Sequence, residues 1–213
     1  MPDRDGSLRL AGVFAVVILL LSGFSTIGRA VHGPFAHAGP GRAAPHVAAA
    51  PAARRFWARD KHYYRSPWYA GRHRKMVPFG CTRAPYYPPD PRCTHDRGYH
   101  HGLDIAMPCR TGLYAGVRGR VVRPDSAGAL GPAYGPHAFR LRSLRLGRDF
   151  VIGHVRRVFV RPGAHVSRGQ LMALASDAGA PDGCHLHFEA RPIAGSYTEA
   201  VKPTRYLRLR RAD

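Results

Sequence analysis

His185-Leu186-His187-Phe188-Glu189-Ala190 reads as a β-strand with two unlike faces. Successive side chains of an extended backbone point to opposite sides. His185, His187 and Glu189 therefore share one face, while Leu186, Phe188 and Ala190 turn toward a core. Outward from this stretch, short apolar or alternating runs recur from about Met76 onward. They are Gly102–Ala106, Leu113–Ala115, Gly119–Val122, Phe150–His154, Val158–Val160 and Leu171–Ala175, with Gly and Pro between them. No segment carries the period of a long amphipathic helix. Short strands at this spacing predict a mainly β fold, an antiparallel β-sandwich or open barrel. Residues 124–148, with Pro124, Gly128, Gly131, Pro132, Gly135 and Pro136, read as a long irregular insertion. In compact domains loops of that length are usually functional or disordered.

The polar face of the 185–189 strand carries chemistry. Two imidazoles side by side suit a metal, or one metal ligand beside one proton-transfer group. Alone the signal is weak, because a chain with 13 histidines produces such pairs by chance. The second signal is His100-His101-Gly102-Leu103-Asp104-Ile105. In extended backbone His100, Gly102 and Asp104 face one way, Leu103 and Ile105 the other. Gly102 leaves the space between the two ligands clear, and His101 falls on the opposite side as a bystander. A carboxylate on a strand this apolar is costly unless something pairs it. His100, Asp104 and His187 together give two imidazoles and one carboxylate, the donor class of a catalytic zinc with one position left for water. His185, spare on the same face, and His154, on the run Phe150–His154, are the candidate proton-transfer groups.

With these residues in this order, the chain resembles the lysostaphin/LytM-type zinc endopeptidases, which hydrolyse peptidoglycan. The carriers are His100-x-Gly102-x-Asp104, Ile105-Ala106-Met107-Pro108 with Thr111-Gly112-Leu113-Tyr114-Ala115, and Gly119-Arg120-Val121-Val122. Gly153-His154-Val155, Gly163 through Val166, Gly169-Gln170 and His185-Leu186-His187-Phe188-Glu189 follow. The resemblance covers roughly residues 76–205. It implies zinc on His100, Asp104 and His187, with His154 and His185 activating water and stabilising the oxyanion. It also implies peptidoglycan cross-bridge or stem peptides as substrate. Ile152 stands where the family usually has Tyr, and the loop 176–184 departs from the usual Ser/Thr-Gly form. The alternative reading is a non-catalytic cell-wall-binding module that activates another wall hydrolase.

The rest of the chain bears on where such an activity would work. Arg4 and Arg9 precede an uncharged run from Leu10 to Ile27, at the border between a signal-peptide core and a short membrane span. Residues 1–38, ending at Ala36-His37-Ala38, are expected to be a signal peptide or an N-terminal membrane anchor, and the protein secreted or anchored on the extracytoplasmic side. Residues 39–75 read as a linker with an aromatic and basic stretch from Phe56 to Tyr69, 76–205 as the peptidase domain, and 206–213 as a basic, solvated tail. The net charge of +20 favours polyanions such as anionic wall polymers. The apparent export signal argues against nucleic acid. Four cysteines allow three pairings. The expected one is Cys81–Cys93, closing a short Pro-rich loop, with Cys109–Cys184 tying the two motif-bearing segments together.

Overall fold

The computed structural model describes residues 54–213. The apolar run Leu10–Ile27, Ala36-His37-Ala38 and the linker as far as residue 53 lie outside the described residues. The strands are β1 (Tyr63–Ser66), β2 (Tyr69–Lys75), β3 (Gly80–Thr82), β4 (Gly98–His100), β5 (Leu103–Ala106), β6 (Gly112–Tyr114) and β7 (Gly119–Val121). There follow β8 (Phe139–Ser143), β9 (Arg148–Gly153), β10 (Val155–Val158), β11 (His165–Val166), β12 (Leu171–Ala175), β13 (His185–Pro192) and β14 (Arg210–Arg211). One helical turn, α1 (Thr204–Leu207), follows β13. Among the described residues no helix is long and apolar enough to cross a membrane.

The fold is mainly antiparallel β, built around one large curled, half-barrel sheet. Its strand order is β10-β12-β6-β2-β5-β13-β9-β8-β7-β11, with β1 and β14 added beside β2 and the pair β3-β4 separate. β13 is the axis of the sheet. It is buried on both faces, which is why the stretch His185–Pro192 holds its polar side chains away from water as firmly as its apolar ones. Leu186, Phe188 and Ala190 enter the core, where Phe188 meets Trp68 edge-on at 4.7 Å and stacks on Phe150 at 5.6 Å between ring centroids. Register does the rest. β13 pairs with β5 so that His187 lies opposite Asp104, and with β9 so that His187 lies opposite Gly153.

Several sequence expectations need correction. The expected insertion 124–148 contains β8, whose Phe139 and Leu141 face the core. Its alternation was masked by Arg140 and Arg142, which project to the other face and converge on buried Asp149 at 3.3 and 2.7 Å. The expected strand Val158–Val160 runs instead over Val155–Val158. The chain turns at His154, which holds a left-handed φ of 52°, and pairing with β12 begins at once with Val155 opposite Ala175. The linker 39–75 ends in β1 and β2, because Trp68 and Tyr69 are core side chains and β2 pairs with β5 and β6. The tail expected to be solvated from residue 206 starts with buried Tyr206 and Leu207. Its Arg210 and Arg211 expose their side chains, yet their backbone pairs with β1.

Both expected disulfides are present, Cys81–Cys93 and Cys109–Cys184, spanning 12 and 75 residues. Chain entropy alone assigns them about 3 and about 4 to 5 kcal/mol. The second ties the chain just after β5 to the residue before β13, and so fastens the two strands that carry Asp104 and His187.

Candidate active site

Three donor atoms from three strands meet on the polar side of β13. His100 Nε2, at the end of β4, lies 3.1 Å from His187 Nδ1. Asp104 Oδ1, on β5, lies 2.9 Å from His187 Nδ1 and 3.4 Å from His100 Nε2. All three residues are buried. Four ligands placed tetrahedrally about 2.0 to 2.1 Å from a zinc ion stand about 3.3 Å apart. The triangle has that spacing, and its N, N, O donor set is one that zinc accepts, so the residues fit the ion. Gly102 is required at this point by the His187 ring itself. A Cβ there would lie 2.5 Å from His187 Cε1, so only glycine lets the chain between β4 and β5 pass the ring.

Each ring is aimed by its other nitrogen. His100 Nδ1 donates to the Pro78 carbonyl at 2.9 Å, which fixes the proton there and leaves Nε2 with a lone pair toward the triangle. His187 Nε2 meets Glu189 Oε1 at 2.9 Å. Glu189 is held in turn by Arg191 Nε at 2.5 Å and by the Tyr134 hydroxyl at 2.9 Å. Such outer partners orient ligands and raise their basicity. Burial disfavours charge on His187, but Asp104 and Glu189 outweigh it and push its pKa up to about 9. Burial would raise Asp104, yet His100 and His185 beside it hold its carboxyl well below the usual range. The two carboxylates thus favour a proton on His187, for which a bound metal ion would compete.

His154 and His185 sit side by side, with ring centroids 4.5 Å apart. His185 Nδ1 donates to the Gly183 carbonyl at 2.8 Å, and His154 Nδ1 to the Ala178 carbonyl at 2.9 Å. Both rings therefore present Nε2 as an acceptor in the neutral form. His185 Nε2 is buried, has no hydrogen-bond partner, and lies 3.6 Å from Asp104 Oδ2. Burial, with His185 and His187 close by, pushes the His154 pKa down to about 3, which favours the neutral ring. Its left-handed backbone is held from both sides: His154 N donates to the Tyr134 carbonyl, and Ser176 N and Oγ donate to the His154 carbonyl. A strained non-glycine backbone persists where neighbours over-determine it.

Residues 98–203 match peptidase family M23. Those residues are an M23 peptidase domain. Peptidoglycan DD-endopeptidase ShyA of Vibrio cholerae is 32% identical over 100 residues, which are 44% of this chain and 21% of that protein. The chain thus spans about a fifth of this curated relative. The catalytic domain of lysostaphin from Staphylococcus simulans is similar in structure, with a TM-score of 0.50 and 22% identity, covering 64% of this chain and 92% of that one. LytU is similar at the same TM-score and identity, covering 63% and 83%. Both share the fold.

The M23 domain brings all five sequence-derived residues together: His100, Asp104 and His187 as the triangle, His154 and His185 beside it. His101 stays out of the triangle but lines the groove beside it, packed between Tyr99 and Tyr197 with Arg92 3.0 Å from its Nε2. The triangle opens into a groove of about 570 Å³ walled by Tyr87, Tyr99, Tyr134 and Tyr197 with Asp90. His154 lines this groove, whereas His185 lies behind it. Sequence reading passed over Glu189, Arg191 and Tyr134. Glu189 had a visible signal, since it stands two residues after His187 on the same face. Tyr134 had none, because a one-turn 3-10 helix within the 124–148 loop delivers it.

Proposed function

We propose that the M23 domain is a zinc-dependent endopeptidase that hydrolyses peptide bonds of bacterial peptidoglycan, in a cross-bridge or stem peptide, on the extracytoplasmic side. The observation that carries this reading is the buried triangle of His100, Asp104 and His187 with two further imidazoles presenting free lone pairs beside it. When bound, zinc supplies a Lewis acid and lowers the pKa of a bound water to about 7. The remaining chemistry belongs to the chain. His100, Asp104 and His187 hold the ion, and Glu189 and Pro78 fix the orientation of the two imidazoles. His185 Nε2, unpartnered and next to Asp104, takes the proton of the attacking water and passes it to the leaving amine.

His154 faces the groove. As a neutral ring protonated at Nδ1 it has no N–H to offer an oxyanion at Nε2, so its first role is to accept a hydrogen bond and orient the water. It becomes an oxyanion donor only once a proton reaches it. The walls of tyrosine suit a peptide backbone, which presents both donors and acceptors to hydroxyls and flat apolar faces to the rings. Delivery across the membrane belongs to the same proposal and falls to the run Leu10–Ile27. Release of soluble muropeptides from purified peptidoglycan tests the reading. The wild-type chain should release them, and His187→Ala should lose both release and stoichiometric zinc. Undiminished release by His187→Ala would overturn it.

A further inference from the structure

Asp182 is only 1% exposed and stands three residues before His185, yet it belongs neither to the triangle nor to its supports. Its Oδ2 accepts the indole N–H of Trp57 at 2.8 Å and the hydroxyl of Tyr86. Both donors come from upstream of residue 98, where the family match begins. Its Oδ1 is buried with no partner. A carboxylate so placed is costly to the fold.

The connections on either side show what it joins. Trp57 N and Ala58 N both donate to the Met76 carbonyl at 2.8 Å. Met76 N donates to the Asp104 carbonyl at 2.7 Å, and Asp104 N to the Val77 carbonyl at 3.0 Å. The arm bearing Trp57 is therefore bonded, through Met76, to the strand bearing Asp104. On the other side Asp182 is followed by Gly183, whose carbonyl fixes the His185 ring, and by Cys184, bridged to Cys109. The path Asp104, Met76, Trp57, Asp182, Gly183, His185 closes on itself where His185 Nε2 comes within 3.6 Å of Asp104 Oδ2.

We propose that Asp182, clasped by Trp57 and Tyr86, is a positioning residue that sets the orientation of His185 against Asp104. The inference rests on the reading of His185 as the proton-transfer group. Trp57 offers only a donor and a phenol offers its proton readily, so one carboxylate oxygen can hold both segments at once. Trp57→Phe removes the indole N–H and keeps an aromatic ring in place. Tyr86→Phe removes a hydroxyl from a side chain that is already 38% exposed. Loss of the clasp frees the Gly183 carbonyl to move, and small misplacements of a reacting group are expensive in rate.

The test uses the full chain, loaded with zinc, in wild-type, Trp57→Phe, Tyr86→Phe and Asp182→Asn forms. Long-range proton–nitrogen NMR reads the His185 tautomer, metal analysis reads zinc content, and muropeptide release reads kcat and KM. The expected result is one zinc per chain throughout, a His185 signal that departs from pure Nδ1–H, kcat lower by about tenfold and KM within about twofold of wild type. An unchanged His185 signal with unchanged kcat in the variants, whatever their melting temperature, overturns the proposal. Should Trp57→Phe fail to fold, Tyr86→Phe decides on the same readouts. If the wild type releases no muropeptide, the peptidase reading fails, and the His185 signal still decides whether the clasp orients the ring.

Discussion

The two halves of the site are built differently. Asp104 and His187 of the triangle rest on strands whose register leaves no choice: pairing β13 with β5 sets one opposite the other, and a one-residue slip would send each to the wrong face, while His100 joins them from the separate β3-β4 pair. The flanking half, with His154, Tyr134 and the Asp182 clasp, rests on turns and loops held by individual hydrogen bonds. The Asp104–His187 pair is fixed by the same contacts that make the sheet. The flanking half is fixed by contacts that serve the site and little else. Variants should therefore separate into those that abolish the site, those that unfold the sheet and those that only detune it.

The largest effect is expected at the triangle. His187→Ala should lower muropeptide release by about a thousandfold or more, because it removes a ligand and takes from Asp104 and Glu189 the buried partner they share. Near-wild-type zinc content and rate in that variant would mean that the triangle is not the centre. On the opposite face of the same strand, Phe188→Ala removes a ring packed between Trp68 and Phe150. It should destabilise the fold by about 3 to 5 kcal/mol in denaturant unfolding. A loss of less than about 1 kcal/mol would show that the face is not core.

Those two variants probe what the sequence already displayed. Alternation over 185–190 revealed both faces of β13, and parity over 100–105 separated His100 from His101. Cysteine number alone left three pairings open, and the pairing expected from the Pro-rich loop and the two motif-bearing segments is the one present. What stayed hidden has a common physical cause. Arg140 and Arg142 are charged residues neutralised by Asp149 inside the fold, so β8 read as loop. The aromatic arm before residue 76 gave no alternation that could tell a strand from a linker. Tyr134, Trp57 and Asp182 meet their partners across 55 and 125 residues of chain, and no local pattern records such contacts.

Smaller effects should sharpen the contrast. Glu189→Gln keeps the size of the side chain but weakens its hold on His187. It should reduce zinc affinity by about 10- to 100-fold in competition with a chelating dye, and lower the melting temperature as well, because Arg191 loses its buried carboxylate. Affinity equal to wild type would remove Glu189 from the site. At the periphery, Asp60 pairs with Lys75 at 2.7 Å and accepts from the Tyr64 hydroxyl. Burial opposes its charge, but those partners together outweigh it and hold its pKa below the usual carboxylate range. A carboxyl whose folded pKa is depressed stabilises the fold above its unfolded pKa of about 3.9, and that share is lost as pH falls further. Asp60→Asn should therefore cost under about 1 kcal/mol at pH 7, with the difference from wild type shrinking in acid. A difference that grows in acid would contradict this pairing.

Chelation and readdition of zinc test the metal centre most directly. Purified peptidoglycan is digested with the full chain, with the chain stripped by chelator, and with the stripped chain given one equivalent of zinc, and the new amino groups are counted. Amide hydrolysis by a metal held on His100, Asp104 and His187 requires that amino groups appear, vanish and return in that order, with no matching rise in reducing sugar ends. Amino groups that continue to appear after chelation, or that fail to return with zinc, would contradict it.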